Sequence, residues 1–120
     1  MTLPSKPQLY RDAIDVLVEV CKDGQGKIGA ERVLAGLWNA NATAEFNPDQ
    51  HRVNLLLARL APEDRQIIAE MLTEEFRTGV FEALKVIGER FRVEPFQDGY
   101  EGAAFNDFIG RMQEWQWPMP

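Results

Sequence analysis

The sequence predicts a compact all-α domain of five to six helices, arranged as a bundle or with orthogonal crossings. Apolar residues recur every three to four positions through most of the 120 residues, which is the period of a helix buried on one face. No alternating run of apolar and polar residues is bounded by hairpin-turn residues, so nothing indicates strands. A chain of this length buries about two-thirds of its unfolded surface as one domain, so a core can form without disulfides or metals.

The first helix is predicted from Gln8 to Cys21. Its apolar residues follow the helical period around one wide face, whereas Arg11, Asp12 and Asp15 fall on the opposite side. Two glycines follow within five residues and place a turn directly after the helix. Cys21 is therefore expected on the buried face.

The next two helices are predicted from Gly29 to Asn39 and from Asn47 onward. The inner face of the second is expected to carry Val33, Leu34, Leu37 and Trp38. Asn47-Pro48-Asp49 is typical of a helix start, because asparagine caps free amides and proline fixes the first helical φ. The third helix carries the apolar residues Val53, Leu55, Leu56, Leu57 and Leu60.

The longest helical pattern runs from about Pro62 to Phe91 and keeps its phase throughout. Gly79 is its weak point, since an interior glycine costs about 1 kcal/mol relative to alanine. The sequence allows one long helix, bent or straight, or two helices that meet at Gly79. Pro95 ends the pattern, and a last helix is predicted from Ala103 to about Glu114.

Composition and charge restrict the classes of partner. The net charge is −6 and the isoelectric point is near 4.8, which disfavours direct binding to nucleic-acid phosphates and favours a basic protein partner. The single cysteine indicates a reducing compartment. No signal peptide or membrane span is evident, so we expect a cytoplasmic protein with residues 1–6 as a flexible leader and residues 115–120 as a tail.

The side chains that chemistry requires are scarce. The chain has one serine, Ser5, one histidine, His51, and one cysteine, Cys21, too few for a catalytic triad or a zinc site. Cys21 and His51 form the only nucleophile–base pair that the sequence offers, and a buried core role for Cys21 is the alternative. Glu70 and Glu74 share a helix face, where Arg77 is expected to pair with Glu74. The Asp98–Glu101 loop lacks the ligand pattern of an EF-hand, and the glycines before the second helix lack the ending of a phosphate-binding loop. No catalytic residue, cofactor or metal is predicted.

The segment from Glu94 to Glu114 is the candidate functional region. It holds five carboxylates against one basic residue, Arg111, for a local net charge of −4. Rigid aromatic rings with an acidic rim are typical of surfaces that bind basic proteins. The predicted partner-binding residues are Asp98, Tyr100, Glu101, Asp107, Glu114, Trp115 and Trp117. The alternative is that the two tryptophans seal the end of the bundle.

The second half also resembles a family of short, acidic, bacterial helical proteins without an assigned function. The resemblance covers about Ala61 to Pro118. It is carried by Ala61-Pro62-Glu63-Asp64-Arg65, Gly79-Val80-Phe81-Glu82-Ala83-Leu84, Pro95-Phe96-Gln97-Asp98-Gly99-Tyr100-Glu101-Gly102, Phe105, Asp107-Phe108, Gly110-Arg111 and Trp117-Pro118. It implies no catalytic residues. In size and charge the chain is similar to immunity proteins that inhibit bacterial toxins.

The leading hypothesis is therefore a non-enzymatic, immunity-type inhibitor that occludes a basic toxin or effector through its acidic, aromatic C-terminal half. A second hypothesis is a phage or mobile-element protein whose regular row of carboxylates mimics phosphates. A third is a small carboxylate enzyme or small-molecule sensor, which requires a buried acid facing a cleft. Homodimerisation stays open.

Overall fold

The computed structural model describes residues 8–91 and 98–118, and the predicted leader, Glu94 and the end of the tail lie outside them. The described residues form five α-helices and one π-helical turn, with no strand among them. The helices are α1 (Gln8–Lys22), α2 (Gln25–Ala35), α3 (Pro48–Arg59), α4 (Pro62–Val86) and α5 (Ala104–Met112), and the π-helical turn is Ile87–Phe91. The predicted all-α class and its long helix are confirmed.

The second helix begins and ends four residues earlier than its sequence pattern predicts. Gly36 adopts φ 75°, in the left-handed region, and the backbone N–H groups there close the helix on Arg32 and Val33. Glycine takes this conformation without steric cost, so the helix ends there. Trp38 consequently lies in the connection to α3, where its backbone N–H donates to Asn54 Oδ1 at 2.7 Å.

The starts of α3 and α4 follow the sequence closely. Asn47 caps α3 by accepting a hydrogen bond from the Gln50 backbone N–H, and Pro48 and Pro62 occupy first-turn positions. α4 continues without interruption through Gly79, where a Cβ atom would meet nothing within 4 Å. The helix is continuous because the regular spacing of its apolar residues, which pack on both sides of Gly79, stabilises it by more than one exposed glycine costs.

The first core joins α1, the C-terminal half of α4 and α5. Its buried residues are Tyr10, Ile14, Cys21, Leu84, Ala104 and Phe108. The predicted inner face of the last helix is confirmed, since Phe105, Ile109 and Met112 pack on this core. Cys21 is buried as predicted, and its burial raises the pKa of the thiol.

The second core joins α2, α3 and the N-terminal half of α4 around the buried residues Val33, Leu57 and Ala69. Leu34 and Leu37, predicted on the inner face of the second helix, prove to be exposed, and Leu55 and Leu56 on α3 are exposed as well. α2 packs along α4, whereas α3 joins this core through the buried Leu57 with Val53 and Leu60, and the four exposed leucines lie outside these contacts. α4, about 37 Å long, connects both cores in a molecule of 61 × 28 × 19 Å.

Candidate interaction surface

The buried side chain of Asp107 holds the C-terminal region together through hydrogen bonds. Asp107 is fully buried in the first turn of α5. Its carboxylate accepts hydrogen bonds from the Tyr10 hydroxyl at 2.6 Å and from the backbone N–H groups of Tyr100 and Glu101, both at 2.8 Å. One carboxylate thus fixes α1 and the loop before α5 to each other. Burial and this carboxylate together raise the pKa of the Tyr10 hydroxyl.

The loop from Asp98 to Gly102 wraps closely around this carboxylate. A Cβ atom on Gly99 would lie 2.6 Å from Asp107 Oδ2 and 2.6 Å from the Ala103 carbonyl oxygen, so the approach requires glycine. The acidic side chains of Asp98 and Glu101 point outward and are exposed. The loop therefore presents two carboxylates while its backbone is held on a third.

The tail folds back over α1 after α5. Glu114 adopts φ 67°, and the Trp115 backbone N–H donates to the Gly110 carbonyl at 2.9 Å. Arg111 Nη1 donates to the Trp115 carbonyl oxygen at 2.6 Å. After the reversal at Glu114, whose side chain is exposed, Trp117 packs on the first core and Trp115 packs on the rings of Tyr100 and Trp117.

Asp15 on α1 anchors the tail. Its Oδ2 atom accepts a hydrogen bond from Trp117 Nε1 at 2.9 Å, and its Oδ1 atom accepts one from Arg111 Nε at 2.6 Å. The Arg111 guanidinium also lies over the Trp117 ring, 5.3 Å from its centroid. The hydrogen bond to Asp15 and the overlying Arg111, itself paired with Asp15, thus hold Trp117 in place.

Three aromatic rings pack against one another at this end. The centroids of Tyr100 and Trp115 both lie 5.5 Å from that of Trp117, and their own separation is 6.3 Å. Arg11 covers Tyr100 and Trp117 at 5.4 and 5.8 Å and donates to the Tyr100 hydroxyl at 2.6 Å. All three aromatic side chains are partly exposed. The three rings are therefore held in a fixed arrangement and remain partly accessible to another molecule.

The acidic rim beside these rings consists of three exposed carboxylates. Among residues 8–91 and 98–118, the carboxylates of Asp98, Glu101 and Glu114 form no hydrogen bond or salt bridge. We use the term acidic aromatic surface for these three acids together with Tyr100, Trp115 and Trp117. Six of the seven predicted partner-binding residues are thus at least partly exposed at this end.

The structure corrects the prediction for Asp107, which is internal and cannot contact a partner directly. It also identifies supporting residues that the sequence analysis missed, because Arg11 and Asp15 were assigned to the solvent side of α1. Both are half-buried beneath the tail. Their spacing of four residues places opposite charges on one helix face, which is the pattern that indicates a shared role.

Other candidate chemical groups do not converge in the described structure. Cys21 lies in the first core, whereas His51 lies on α3, and no hydrogen bond joins them. No group of three His, Cys, Asp or Glu residues in the described ranges is placed to hold a metal. Arg77 pairs with Glu74 as predicted. A cavity of about 250 Å³ between α2 and α4 has a single ionisable lining residue, Arg32.

Comparison with known proteins identifies the family. A family model described as "Family of unknown function (DUF6547)" matches residues 4–119. The match includes residues 4–60, which the resemblance in the sequence did not cover. No curated protein and no solved structure matches the chain. None of the described helices is long and apolar enough to span a membrane.

Proposed function

The chain belongs to the DUF6547 family of unknown function, and we propose that it binds and occludes a basic protein through its acidic aromatic surface, without catalysing a reaction. The observation that carries the proposal is that the carboxylates of Asp98, Glu101 and Glu114 pair with none of the described residues and lie beside fixed, partly exposed rings. Exposed carboxylates that pair with no residue in the described ranges are available to cations of another protein. Their number and position favour lysine- or arginine-rich surfaces.

The rigidity of the surface supports the same proposal. The loop is tied to Asp107, and Trp117 is tied to Asp15. A surface already held in its binding conformation loses less conformational entropy on association. Partly exposed tyrosine and tryptophan rings supply the apolar contacts that dominate many protein interfaces.

The finer proposal is an immunity-type inhibitor that blocks a toxin or effector in a bacterial cytoplasm. It rests on the small size, the net charge of −6 and the shortage of catalytic side chains. The phosphate-mimic alternative requires a regular row of free acids. It is less well supported, because Asp15 and Glu74 are paired with arginines.

The test is capture of basic proteins from an extract of the source organism by the immobilised full chain. We compare wild type with the variant Asp98→Lys/Glu101→Lys/Glu114→Lys. The control Glu45→Lys/Glu70→Lys/Glu75→Lys changes the net charge equally at exposed residues elsewhere. Wild type and control are expected to retain a basic protein that the first variant loses.

Specific capture then leads to an inhibition assay with the purified partner. An equimolar amount of wild-type protein is expected to suppress the activity of the partner, whereas the Asp98→Lys/Glu101→Lys/Glu114→Lys variant leaves it active. Equal capture by both lysine variants would argue against the proposal, since binding would then be independent of this surface. Equal loss in both would indicate only unspecific charge attraction.

A further inference from the structure

α3 presents an outward face that its own fold leaves uncovered. Arg52, Leu55, Leu56 and Arg59 are spaced by three, one and three residues and so lie on one side of the helix. Leu55 and Leu56 are 51% and 44% exposed, and both arginines are exposed. We name these four residues the α3 face.

The opposite side of the same helix packs on the second core. Leu57 is buried, and Val53 and Leu60 pack on the second core. Asn54 also accepts backbone hydrogen bonds from Trp38 and Asn39 at 2.7 and 3.0 Å. The orientation of α3 is therefore fixed by one side, and the exposure of the two leucines follows from that orientation.

The charge of the α3 face is opposite to that of the chain. Arg52 and Arg59 form no salt bridge or hydrogen bond with any of the described residues, although acids outnumber bases by 19 to 13 in the sequence. Exposed leucines between two unpaired arginines are complementary to an apolar stripe flanked by carboxylates. A second copy does not satisfy this face symmetrically, because antiparallel α3 helices would bring Arg52 opposite Arg59.

We propose that the α3 face binds an acidic amphipathic helix of a partner protein. The two arginines are seven positions apart, about 10.5 Å along the helix, which matches carboxylates seven positions apart on an opposing helix. The leucines between them would pack on the apolar residues of that helix. This surface lies on the second core, whereas the acidic aromatic surface lies on the first, so the chain can hold two partners of opposite charge.

The test uses a fluorescein-labelled, alanine-based helical peptide with two glutamates seven residues apart and two leucines between them. A matched peptide carries lysines in place of the glutamates. Fluorescence anisotropy with the full chain is expected to show at least tenfold tighter binding of the glutamate peptide. Arg52→Glu/Arg59→Glu is expected to reverse this preference, and Leu55→Ser/Leu56→Ser to abolish binding of both peptides.

The control Ile67→Ser/Met71→Ser removes exposed apolar residues from α4 instead and is expected to bind like wild type. Circular dichroism checks that every variant keeps its helix content. Equal affinity for both peptides, or an unchanged preference in Arg52→Glu/Arg59→Glu, would overturn the proposal. Self-association of wild type that disappears in Leu55→Ser/Leu56→Ser, or stronger binding to vesicles of anionic lipid than to the peptide, would also overturn it. These variants leave the acidic aromatic surface intact, so the two proposals fail independently.

Discussion

The Tyr10 hydroxyl donates a hydrogen bond of 2.6 Å to Asp107 Oδ2, which connects α1 to α5 across 97 residues of sequence. Both side chains are fully buried. The same carboxylate receives the backbone N–H groups of the loop that bears Asp98 and Glu101. The internal acid therefore positions the external acids, and this dependence leads to the predictions that follow.

Asp107→Asn is expected to lower the free energy of unfolding by about 2 to 3 kcal/mol. An amide keeps the shape of the side chain but has one accepting oxygen for three donors, so a buried donor loses its partner. Asp98→Asn is the matched control, with an expected change below about 0.5 kcal/mol because the side chain is exposed. Urea unfolding followed by circular dichroism measures both. Equal small losses would contradict the assigned role of Asp107.

Alkaline pH is expected to destabilise the protein through Tyr10. Its pKa is raised in the folded state, first by burial and then by Asp107, whereas a tyrosine in the unfolded chain ionises near pH 10. The stability that depends on this proton is complete below about pH 10. It falls at higher pH by up to about 1.4 kcal/mol per pH unit.

The measurement for Tyr10 compares wild type with Tyr10→Phe. Urea unfolding between about pH 9 and pH 11.5 is expected to give a steeper loss in wild type. Tyr10→Phe lacks the titrating hydroxyl, while every other ionisable group is the same in both proteins. Parallel curves for the two proteins would show that Tyr10 does not keep its proton on folding.

Replacement of glycine by alanine is expected to change the stability of the fold in opposite directions at Gly79 and at Gly36. Gly79 lies exposed within a continuous helix, and a Cβ atom added there has open space around it, so Gly79→Ala is expected to stabilise the fold by about 1 kcal/mol. Gly36 has φ 75°, and a Cβ there would lie 2.7 Å from the Arg65 guanidinium. Gly36→Ala is expected to cost about 1 to 2 kcal/mol. Thermal unfolding of both variants measures the direction of each stability change. A stabilising Gly36→Ala would contradict the role of Gly36 as the left-handed cap of α2.

Asp15→Asn is expected to release the tail from α1. The change removes the ion pair with Arg111 and weakens the acceptor of the Trp117 indole, at a cost of about 1 kcal/mol. Tryptophan fluorescence is expected to shift to longer wavelength as Trp115 and Trp117 become more hydrated. Asp12→Asn on the same helix is the control. An unchanged spectrum in Asp15→Asn would show that the tail is held by other contacts.

The helical architecture was predictable because it depends on the spacing of apolar residues and on residues that start or end a helix. Asn47-Pro48 and Pro62 mark helix starts through their own backbone chemistry. The regular spacing of apolar residues on either side of Gly79 indicated that the long helix is continuous there. The exposure of Leu55 and Leu56 was not predictable in this way. An apolar run gives the helix but does not indicate which of its sides the neighbouring helices leave uncovered.

The candidate surface was predictable in composition but not in internal organisation. Acids beside aromatic residues identified the region, because both are close together in sequence. The burial of Asp107 was missed because it depends on Tyr10, which lies 97 residues away. Arg11 and Asp15 were likewise assigned to solvent, since only the folded tail covers them.

The central claim, that the acidic aromatic surface receives a basic protein, is tested most directly by hydrogen exchange of the full chain with and without its captured partner. Binding is expected to slow amide exchange in residues 98–102 and 113–118, with little change along the outer side of α4. Unchanged exchange in both of these segments, with protection confined to other parts of the chain, would contradict the claim.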